Sequence, residues 1–464
     1  MYKKSFLLLT IIFFNNYFAQ INFLPVTNVY TQKWPQIVKI VDINNDGLND
    51  VILGLTYYDS SASSSILIFL QDQNGTLQSP ITLPYFDNGK DLYALEIGDL
   101  NQDGLKDIAI GYSSYIYGSN YGIFFQKSDN RFNNLISYDA ESSNLQNLKI
   151  ADLNNDGVND VVVSTYRDFY FLYQLSPGKF TKVVREKPYL IYNYASALNM
   201  EVADVNNDGK VDIITNSGNG LYIYLQDNSL YFSEPVITPG YGNLTIADIN
   251  NDSKNDIIMS RIGPGEGQAK IGIKYQIDSP TLFSSTTEIP AYEIPGPVRV
   301  ADLNNDGKKE IITVHQGWVN ASFYEQDSNG NYSSYKLLPL PYASSYDREG
   351  LAVGDINNDN KKDIVIANYN RGLDILYNSS YLSTYDFATK EFITIYPNPS
   401  TDFIFIKSKI SYNSYKVVDF SGRIVQKGVI NNNKIDIRKV LSGKYLLEIS
   451  DNNGALNTSN FVKK

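Results

Sequence analysis

The sequence predicts an all-β protein in which a seven-bladed β-propeller precedes a small β-sandwich. Three observations support this prediction. A nine-residue acidic segment, first seen as Asp42–Asp50, occurs seven times at intervals of 44 to 57 residues. Short runs rich in Ile and Val flank the copies, as expected of buried strands. After the last copy the repeat stops, and short alternating segments separated by Gly- and Asn-containing turns follow.

The first residues predict a secretory signal peptide over residues 1–19. Lys3 and Lys4 form a short basic region, and the apolar run from Phe6 to Phe14 is too short to span a bilayer. We expect cleavage at the Ala19-Gln20 junction. No later run reaches about 18 apolar residues, so no transmembrane segment is expected in the mature chain.

Composition excludes several classes of site. The 464 residues include no Cys and one His. A disulfide scaffold, Cys-ligated zinc, an iron–sulfur cluster and a metal centre with several His ligands are therefore excluded. The formal net charge of −11 argues against a nucleic-acid partner, because that partner would repel the chain.

Each acidic segment lies in the same local context. A strand ends just before it, a second strand begins at its end, a third often ends in Gln, and a weaker fourth carries Pro, which an edge strand tolerates. Four strands per repeat and about 52 residues per repeat indicate propeller blades. The seven segments start at Asp42, Asp99, Asp152, Asp204, Asp248, Asp302 and Asp355, and the propeller is predicted over residues 20–385.

The last repeat has three strands but no clear fourth. At the start of the mature chain, Asn22–Val26 resembles the fourth strand at Tyr231–Val236. We therefore expect residues 21–30 to supply the outer strand of the seventh blade. This closure would remove the open edges of the repeat array.

The acidic segment has the chemistry of a calcium loop. Asp, Asn and Asp at positions 1, 3 and 5 offer three side-chain oxygens, position 6 makes a sharp turn, position 7 offers its main-chain carbonyl, and position 9 is acidic. Six or seven oxygens at this spacing suit calcium. The loop is not an EF-hand, because position 12 is an apolar or Thr residue inside a strand rather than Glu.

The sequence predicts up to seven calcium ions. The predicted ligands, loop by loop, are Asp42, Asn44, Asp46, Leu48 and Asp50; Asp99, Asn101, Asp103, Leu105 and Asp107; Asp152, Asn154, Asp156, Val158 and Asp160; Asp204, Asn206, Asp208, Lys210 and Asp212; Asp248, Asn250, Asp252, Lys254 and Asp256; Asp302, Asn304, Asp306, Lys308 and Glu310; Asp355, Asn357, Asp359, Lys361 and Asp363. Ser253 and Asn360 replace Gly at position 6, and Glu310 replaces Asp at position 9. The alternative is a metal-free turn rich in Asx residues. Sevenfold recurrence favours calcium, because carboxylates packed without a cation repel one another.

This repeat resembles the FG-GAP/VCBS family, whose calcium-loop blades also occur in integrin α-chain propellers. The resemblance covers about residues 21–385 and implies the propeller fold and bound calcium. It implies less about activity, because the family contains adhesins, lectins and some polysaccharide lyases.

Residues 386–464 are predicted to form a separate β-sandwich module. Their motifs Tyr396–Ser400, Val417–Arg423 and Leu441–Tyr445, with the terminal Lys463-Lys464, resemble the type A C-terminal sorting domain of the type IX secretion system of Bacteroidota. The resemblance implies recognition by the outer-membrane translocon and a secreted or outer cell-surface location. An ordinary carbohydrate-binding sandwich is the alternative.

The sequence favours a binding or adhesion module for a glycan or protein, and leaves open whether the protein is an enzyme. The alternative is a polysaccharide lyase that acts on an acidic glycan with His315 as base. The other interpretation of His315 is a strand-end residue held by local hydrogen bonds, and it is favoured, because the spacing places no second catalytic element beside this residue. Tyr residues in Tyr112–Tyr121, Tyr189–Tyr194 and Tyr342–Tyr346 are expected to be exposed, either stacking on sugars or simply lying in connecting loops.

Overall fold

The computed structural model describes residues 21–464 with internal gaps. The gaps are residues 32–33, 57–62, 88–90, 115–117, 141–144, 166–167, 187–198, 218–219, 228–231, 263–266, 280, 317–319, 328, 342–348, 381–393, 409–411, 420–422, 431 and 451–455. The chain divides into two compact units, Met1–Leu382 and Ser383–Lys464. The predicted signal peptide lies outside the described residues, whose regular structure consists of strands.

The described residues of the first unit form 28 strands. In chain order they are β1 (Thr27–Val29), β2 (Trp34–Val41), β3 (Asp50–Thr56), β4 (Ser63–Phe69), β5 (Ile81–Asp87), β6 (Asp91–Gly98), β7 (Asp107–Ser114), β8 (Gly118–Phe124), β9 (Ile136–Asp139), β10 (Leu145–Ala151), β11 (Asp160–Thr165), β12 (Asp168–Ser176), β13 (Lys179–Glu186), β14 (Met200–Ala203), β15 (Asp212–Ser217), β16 (Gly220–Tyr224), β17 (Val236–Pro239), β18 (Asn243–Ala247), β19 (Asp256–Arg261), β20 (Lys270–Lys274), β21 (Thr287–Pro290), β22 (Pro295–Ala301), β23 (Glu310–His315), β24 (Asn320–Tyr324), β25 (Lys336–Pro339), β26 (Leu351–Gly354), β27 (Asp363–Asn368) and β28 (Gly372–Leu376).

These strands form seven four-stranded antiparallel sheets, which confirms the predicted seven-bladed propeller. Six blades use four consecutive strands each, from β2–β5 to β22–β25. The seventh has the order β26-β27-β28-β1. In that blade Thr27 pairs with Ile375, so its outer strand comes from Thr27–Val29, far earlier in the chain than its other three strands.

The core of the propeller lies between the blades. Each of seven buried apolar clusters joins two adjacent blades; one of them brings Ile52 of the first blade to Ile110 of the second. The small residue before each acidic loop fits this packing. A Cβ on Gly354 would lie 2.7 Å from the Cγ2 methyl of Ile40 in the first blade, so a larger side chain would force one of the inner strands to shift.

The second unit is a small sandwich of two sheets. Its strands are β29 (Thr394–Tyr396), β30 (Phe403–Lys407), β31 (Ser414–Val418), β32 (Ile424–Val429), β33 (Lys434–Asp436), β34 (Gly443–Ser450) and β35 (Leu456–Lys463). The sheet orders are β29-β30-β33 and β32-β31-β34-β35, and Ile404, Val417 and Leu447 lie in the core between them. The sequence does not predict β35, because polar Asn457–Asn460 interrupt its apolar pattern, yet it pairs with β34 along its whole length.

Candidate metal centres

The seven acidic loops lie at the same end of the propeller, because each joins the inner strand of a blade to its second strand. Their backbones share one turn. Position 4 has φ between 56° and 62° in all seven loops, and position 6 has φ between 63° and 88°. Asn occupies position 4 in six loops and Gly occupies position 6 in five, and these residues adopt positive φ at least cost.

Within each loop the side-chain oxygens at positions 1, 3 and 5 point towards the main-chain N–H groups of the same loop. In the first loop, the Asp42 carboxylate accepts hydrogen bonds from the main-chain N–H groups of Asp46 (3.1 Å) and Gly47 (2.9 Å). Asn44 Oδ1 accepts from Asp46 N (3.1 Å), and Asp46 Oδ1 accepts from Leu48 N (2.8 Å). The predicted ligand atoms of positions 1, 3 and 5 are therefore gathered by the local backbone.

The position-9 acid is buried beneath each loop. Asp50 is 0% exposed; its Oδ2 accepts from Ile43 N (3.0 Å) and its Oδ1 from Gln71 N (2.8 Å). The same two bonds recur at Asp107, Asp160, Asp212, Asp256 and Asp363. The longer Glu310 keeps the first bond, from Leu303 N (2.8 Å).

Burial perturbs the position-9 acids strongly. It raises the pKa of Asp50 to about 6, that of Asp107 to about 7 and that of Glu310 to about 8, although main-chain hydrogen bonds oppose the shift. The nearby acids at positions 5 and 1 add to the rise. A charged acid at position 9 is therefore unfavourable unless a cation offsets its burial and its repulsion.

The Gln residues that end the third strands have a role that sequence reasoning missed. Besides donating its main-chain N–H to the position-9 acid, Gln71 donates Nε2 to the carbonyl of Asn49 (3.0 Å). Gln126 reaches the carbonyl of Ile43 in the preceding blade (3.0 Å). The recurrence of Gln at this position is the signal that identifies these residues as supports of the loops.

The donor set fits calcium. In the fifth loop, carboxylate oxygens of Asp248, Asp252 and Asp256 lie within 4.8 Å of one another. No other group of three acidic or His side chains in the described part of the chain reaches this spacing. In the other six loops positions 1, 3 and 5 converge by the hydrogen-bond pattern above, with the acid at position 9 below them. An all-oxygen set of carboxylates, amides and carbonyls suits a hard cation such as calcium.

A second charged group, which the sequence analysis did not predict, lines the propeller axis. We call it the axial ion-pair ring; its members are Lys39, Glu96, Lys149, Glu201, Arg299 and Glu349. Except for Glu349, each lies three residues before the first Asp of an acidic loop, and this constant offset is the signal in the sequence. Lys39 bonds Glu96 (3.0 Å), and Lys149 bonds both Glu96 (2.8 Å) and Glu201 (3.2 Å).

Burial and charge compete in this ring. Burial favours neutral Lys149, but the carboxylates of Glu201, Glu349 and Glu96 outweigh it and hold the pKa of Lys149 well above its usual range. Burial likewise opposes ionisation of Glu349, but Lys149, Lys39 and Arg299 hold its pKa well below the usual range. Both groups are therefore charged at neutral pH.

His315 has the environment of a structural residue. It is 0% exposed, its Nδ1–H donates to the carbonyl of Glu293 (2.8 Å), and its Nε2 accepts from the Ser322 hydroxyl (2.9 Å). Burial lowers the pKa of the imidazole to about 4. Both ring nitrogens are thus occupied inside the protein.

The expectation of exposed Tyr residues is wrong where the structure tests it. Tyr112 and Tyr121 are 2% and 4% exposed, and Tyr121 stacks on Tyr138 with ring centroids 5.2 Å apart. They face the core because they belong to strands β7 and β8 rather than to the connection between them. Tyr115, Tyr117 and the segments Tyr189–Tyr194 and Tyr342–Tyr346 lie outside the described residues.

Comparison with known families agrees with the repeated loops. A family model described as FG-GAP-like repeat matches residues 42–110, 152–215, 204–259 and 302–366. The chain belongs to the FG-GAP-like repeat family. A second family model, described as a secretion system C-terminal sorting domain, matches residues 394–464. This FG-GAP-like repeat protein therefore carries a type IX sorting tail, which indicates export to the medium or the cell surface. No helix in the part of the chain that the structure describes is long and apolar enough to cross a membrane.

Individual relatives of this FG-GAP-like repeat protein share parts of the chain. Integrin alpha-3 of Mus musculus is 28% identical over 97 residues, which are 18% of this chain and 9% of the integrin. The T-cell immunomodulatory protein homolog of Plasmodium falciparum is 24% identical over 460 residues, 88% of this chain and 61% of that protein. The chain thus spans less than two thirds of either relative. Among solved structures, BBS1N in complex with ARL6DN has a TM-score of 0.50 at 13% identity, covering 77% of this chain and 96% of that one, a likeness of fold alone.

Proposed function

We propose that the propeller is a calcium-stabilised binding module that recognises a glycan or protein outside the cell and serves in adhesion. The proposal that the propeller binds calcium rests on the geometry that the seven loops share. In all seven loops two residues of positive φ hold oxygens at positions 1, 3 and 5 above a buried acid at position 9.

The loop residues would hold calcium through side-chain oxygens at positions 1, 3, 5 and 9 and the carbonyl at position 7. The ion supplies positive charge that offsets the repulsion of the carboxylates. The chain itself supplies the turn, which is already supported by hydrogen bonds such as that from Gly47 N to Asp42 Oδ2 (2.9 Å). Folding and ion binding are therefore expected to stabilise each other.

The end of the blades opposite the acidic loops is the proposed binding surface. Trp34 and Tyr369 stack there across the junction of the first and seventh blades, with ring centroids 5.8 Å apart and planes 5° apart. Nearby in the chain, Tyr30 is 67% exposed. Aromatic faces with a polar edge suit sugar rings and protein side chains alike.

The lyase alternative receives no support from His315. A base that removes a proton from a bound substrate must come within about 3 Å of it. His315 is buried, and its two nitrogens contact Glu293 and Ser322. The binding module therefore remains the function that the described residues support.

The test is a binding and turnover assay on the mature full chain. A panel of neutral and acidic polysaccharides and extracellular matrix proteins is immobilised, and retention is measured with calcium and with excess chelator. Absorbance of unsaturated uronate products is read on the same polysaccharides in solution. Calcium-dependent retention that Tyr30→Ala weakens, without product absorbance, supports the proposal. Product absorbance, or no retention by any member of the panel, contradicts it.

A further inference from the structure

Neighbouring acidic loops are joined by hydrogen bonds that the calcium prediction does not include. At five of the seven junctions, the side chain at position 8 of one loop donates to the main-chain carbonyl of the position-1 Asp in the preceding blade. We call this contact the inter-loop bond. The five bonds are Asn49 Nδ2 to Asp355 O (3.0 Å), Lys106 Nζ to Asp42 O (2.5 Å), Asn159 Nδ2 to Asp99 O (3.1 Å), Asn255 Nδ2 to Asp204 O (2.8 Å) and Lys309 Nζ to Asp248 O.

Two junctions lack the inter-loop bond. Between the third and fourth blades position 8 is Val211, whose side chain has no donor. At the same junction Gln226 Nε2 is buried without a hydrogen-bond partner among the described residues, whereas Gln126 Nε2 reaches the preceding blade. Between the sixth and seventh blades position 8 is Lys362, and within the described part of the chain no bond joins it to Asp302. The chain therefore contains its own comparison set of junctions with and without the position-8 bond, although Asn305 Nδ2 still donates to Asn360 O (3.3 Å) between the sixth and seventh loops.

The junction of the first two loops is the most strongly connected. Lys106 Nζ donates to Asn45 Oδ1 (2.7 Å) in addition to Asp42 O, and Asn45 Nδ2 donates back to the carbonyl of Gly104 (3.0 Å). Lys106 carries a full charge, and charge-assisted hydrogen bonds are stronger than neutral ones. Displacement of either loop must therefore disturb the other.

We propose that the inter-loop bonds couple calcium binding between adjacent loops, so that a position-8 residue is a positioning residue for the ion of the preceding loop. This inference rests on the proposed calcium function. Position 8 lies between two ligands of its own loop, the position-7 carbonyl and the position-9 acid. An ion in that loop therefore fixes the backbone of position 8, and its side chain in turn fixes the Asp that supplies the first ligand of the neighbouring ion.

The coupling arises because ion binding reduces the conformational freedom of a loop, and it acts in both directions. A loop whose position-1 backbone is already held loses less conformational freedom when it binds its own ion. By thermodynamic linkage, each loop then raises the calcium affinity of its neighbour by the same factor. The junction at Val211 is expected to separate the loops of the third and fourth blades into independent binding units.

The test follows amide hydrogen exchange, read by mass spectrometry, over a calcium titration of the mature full chain. The quantity measured is the calcium concentration that half-protects each loop peptide. In Lys106→Met the midpoint of the first loop, Asp42–Asp50, is expected to rise about three- to tenfold, a loss of up to about 1.4 kcal/mol. The variant leaves the ligand atoms of both loops in place. Lys106→Asn, with the side chain that three other loops use at this position, is expected to keep a midpoint near that of the unmodified chain.

Lys362→Met is the matched control, because it removes the same side chain from the same loop position where no inter-loop bond exists. The midpoint of the sixth loop should stay unchanged. Val211→Asn is the converse variant: it offers a donor to the Asp152 carbonyl and should lower the midpoint of the third loop.

An unchanged first-loop midpoint in Lys106→Met overturns the coupling, as does an equal shift in the sixth loop of Lys362→Met. If Lys106→Met fails to fold, Val211→Asn decides the question: a lowered third-loop midpoint supports coupling and an unchanged one overturns it. A chain in which no loop peptide gains protection with calcium would refute the proposed calcium function itself. That outcome is distinct from loops that bind calcium independently of one another.

Discussion

The ammonium group of Lys149 lies 3.2 Å from the carboxylate of Glu349, although their blades, the third and the seventh, are not neighbours. Lys149 is on an inner strand, and Glu349 lies just before the inner strand of its own blade. Their bond therefore passes across the centre of the propeller. Both side chains are less than 10% exposed, so charged groups rather than solvent fill the axis at this level.

Loss of one member of the axial ion-pair ring is expected to destabilise the propeller strongly. Glu349→Gln removes the carboxylate shared by Lys39, Lys149 and Arg299, so the three cations of the ring are left with only two carboxylates, those of Glu96 and Glu201. The free energy of unfolding should fall by about 3–5 kcal/mol, measured by urea denaturation at fixed calcium. In the control Asp129→Asn, which breaks an exposed pair with Arg131, the free energy of unfolding should change little, because water screens that pair. Equal effects in the two variants would contradict a role for burial.

Calcium is expected to raise the melting temperature. An ion that binds only the folded state adds about 2.7 kcal/mol per site at a hundredfold excess over its dissociation constant. Several partly filled loops should therefore shift the melt by many degrees. Thermal unfolding of the mature chain with calcium and with excess chelator measures the effect, and magnesium at the same concentration is the control for ionic strength. Superimposable curves would mean that the loops do not bind calcium.

The fifth loop should be the weakest site, because Ser253 adopts a backbone conformation that Gly adopts freely. Its φ is 65°, in the left-handed region, where a side chain costs on the order of 1 kcal/mol. Ser253→Gly should therefore raise calcium affinity several-fold, or the melting temperature at limiting calcium. Gly157→Ser, at the same position of the third loop with φ of 84°, should lower them. Neutral results for both substitutions would show that position 6 does not control the site.

His315 is expected to destabilise the fold in acid. Its pKa is about 4 when folded against about 6.5 when unfolded, so the unfolded chain binds the proton more tightly. The stability linked to neutral His315 is complete above pH 6.5 and is lost as the pH falls towards 4, by about 3 kcal/mol in all. Unfolding in chelator at several pH values should show His315→Gln losing less stability than the unmodified chain over this interval. Because the chain has one His, NMR of its imidazole gives the folded pKa directly, and a value near 6.5 would refute the prediction.

Deletion of about residues 390–464 should block export without unfolding the propeller. The sorting tail matches residues 394–464, and the structure divides the chain just before it into compact units. The truncated protein should accumulate in the periplasm with an unchanged calcium-dependent melt, whereas the full chain reaches the surface or medium. Immunoblots of cell fractions measure this. Normal extracellular amounts of the truncated protein would contradict the prediction.

Local spacing predicts the acidic loops well, because nine consecutive residues determine which oxygens can meet. The sequence also predicts most strands, since buried Ile and Val runs such as Val51–Leu53 follow each loop directly. Residues outside the loop that hydrogen-bond to it are harder to predict from the sequence. In the first five loops the Gln that donates to the position-9 acid lies 14 to 21 residues further along the chain, so its role appears only when the strands are paired.

Long-range partners could not be predicted from pattern alone. The sequence places Lys149 in an inner strand. It does not indicate that the partner of Lys149 across the axis is Glu349, which lies 200 residues later. Tyr121 illustrates the converse error. Its polar edge suggested exposure, but packing against Tyr138 in the neighbouring strand outweighs the preference of the hydroxyl for water.

The seventh blade combines β1, which is synthesised early, with β26, β27 and β28, which are synthesised late. Asn28 of β1 bonds the carbonyl of Arg371, next to β28, and 343 residues separate the two. Until the ribosome has passed both segments, the last sheet lacks a strand and the ring has an open edge. Pairing between such distant segments is slow. We therefore expect the nascent chain to stay unfolded long enough to be threaded across the inner membrane, and the ring to close only in the periplasm.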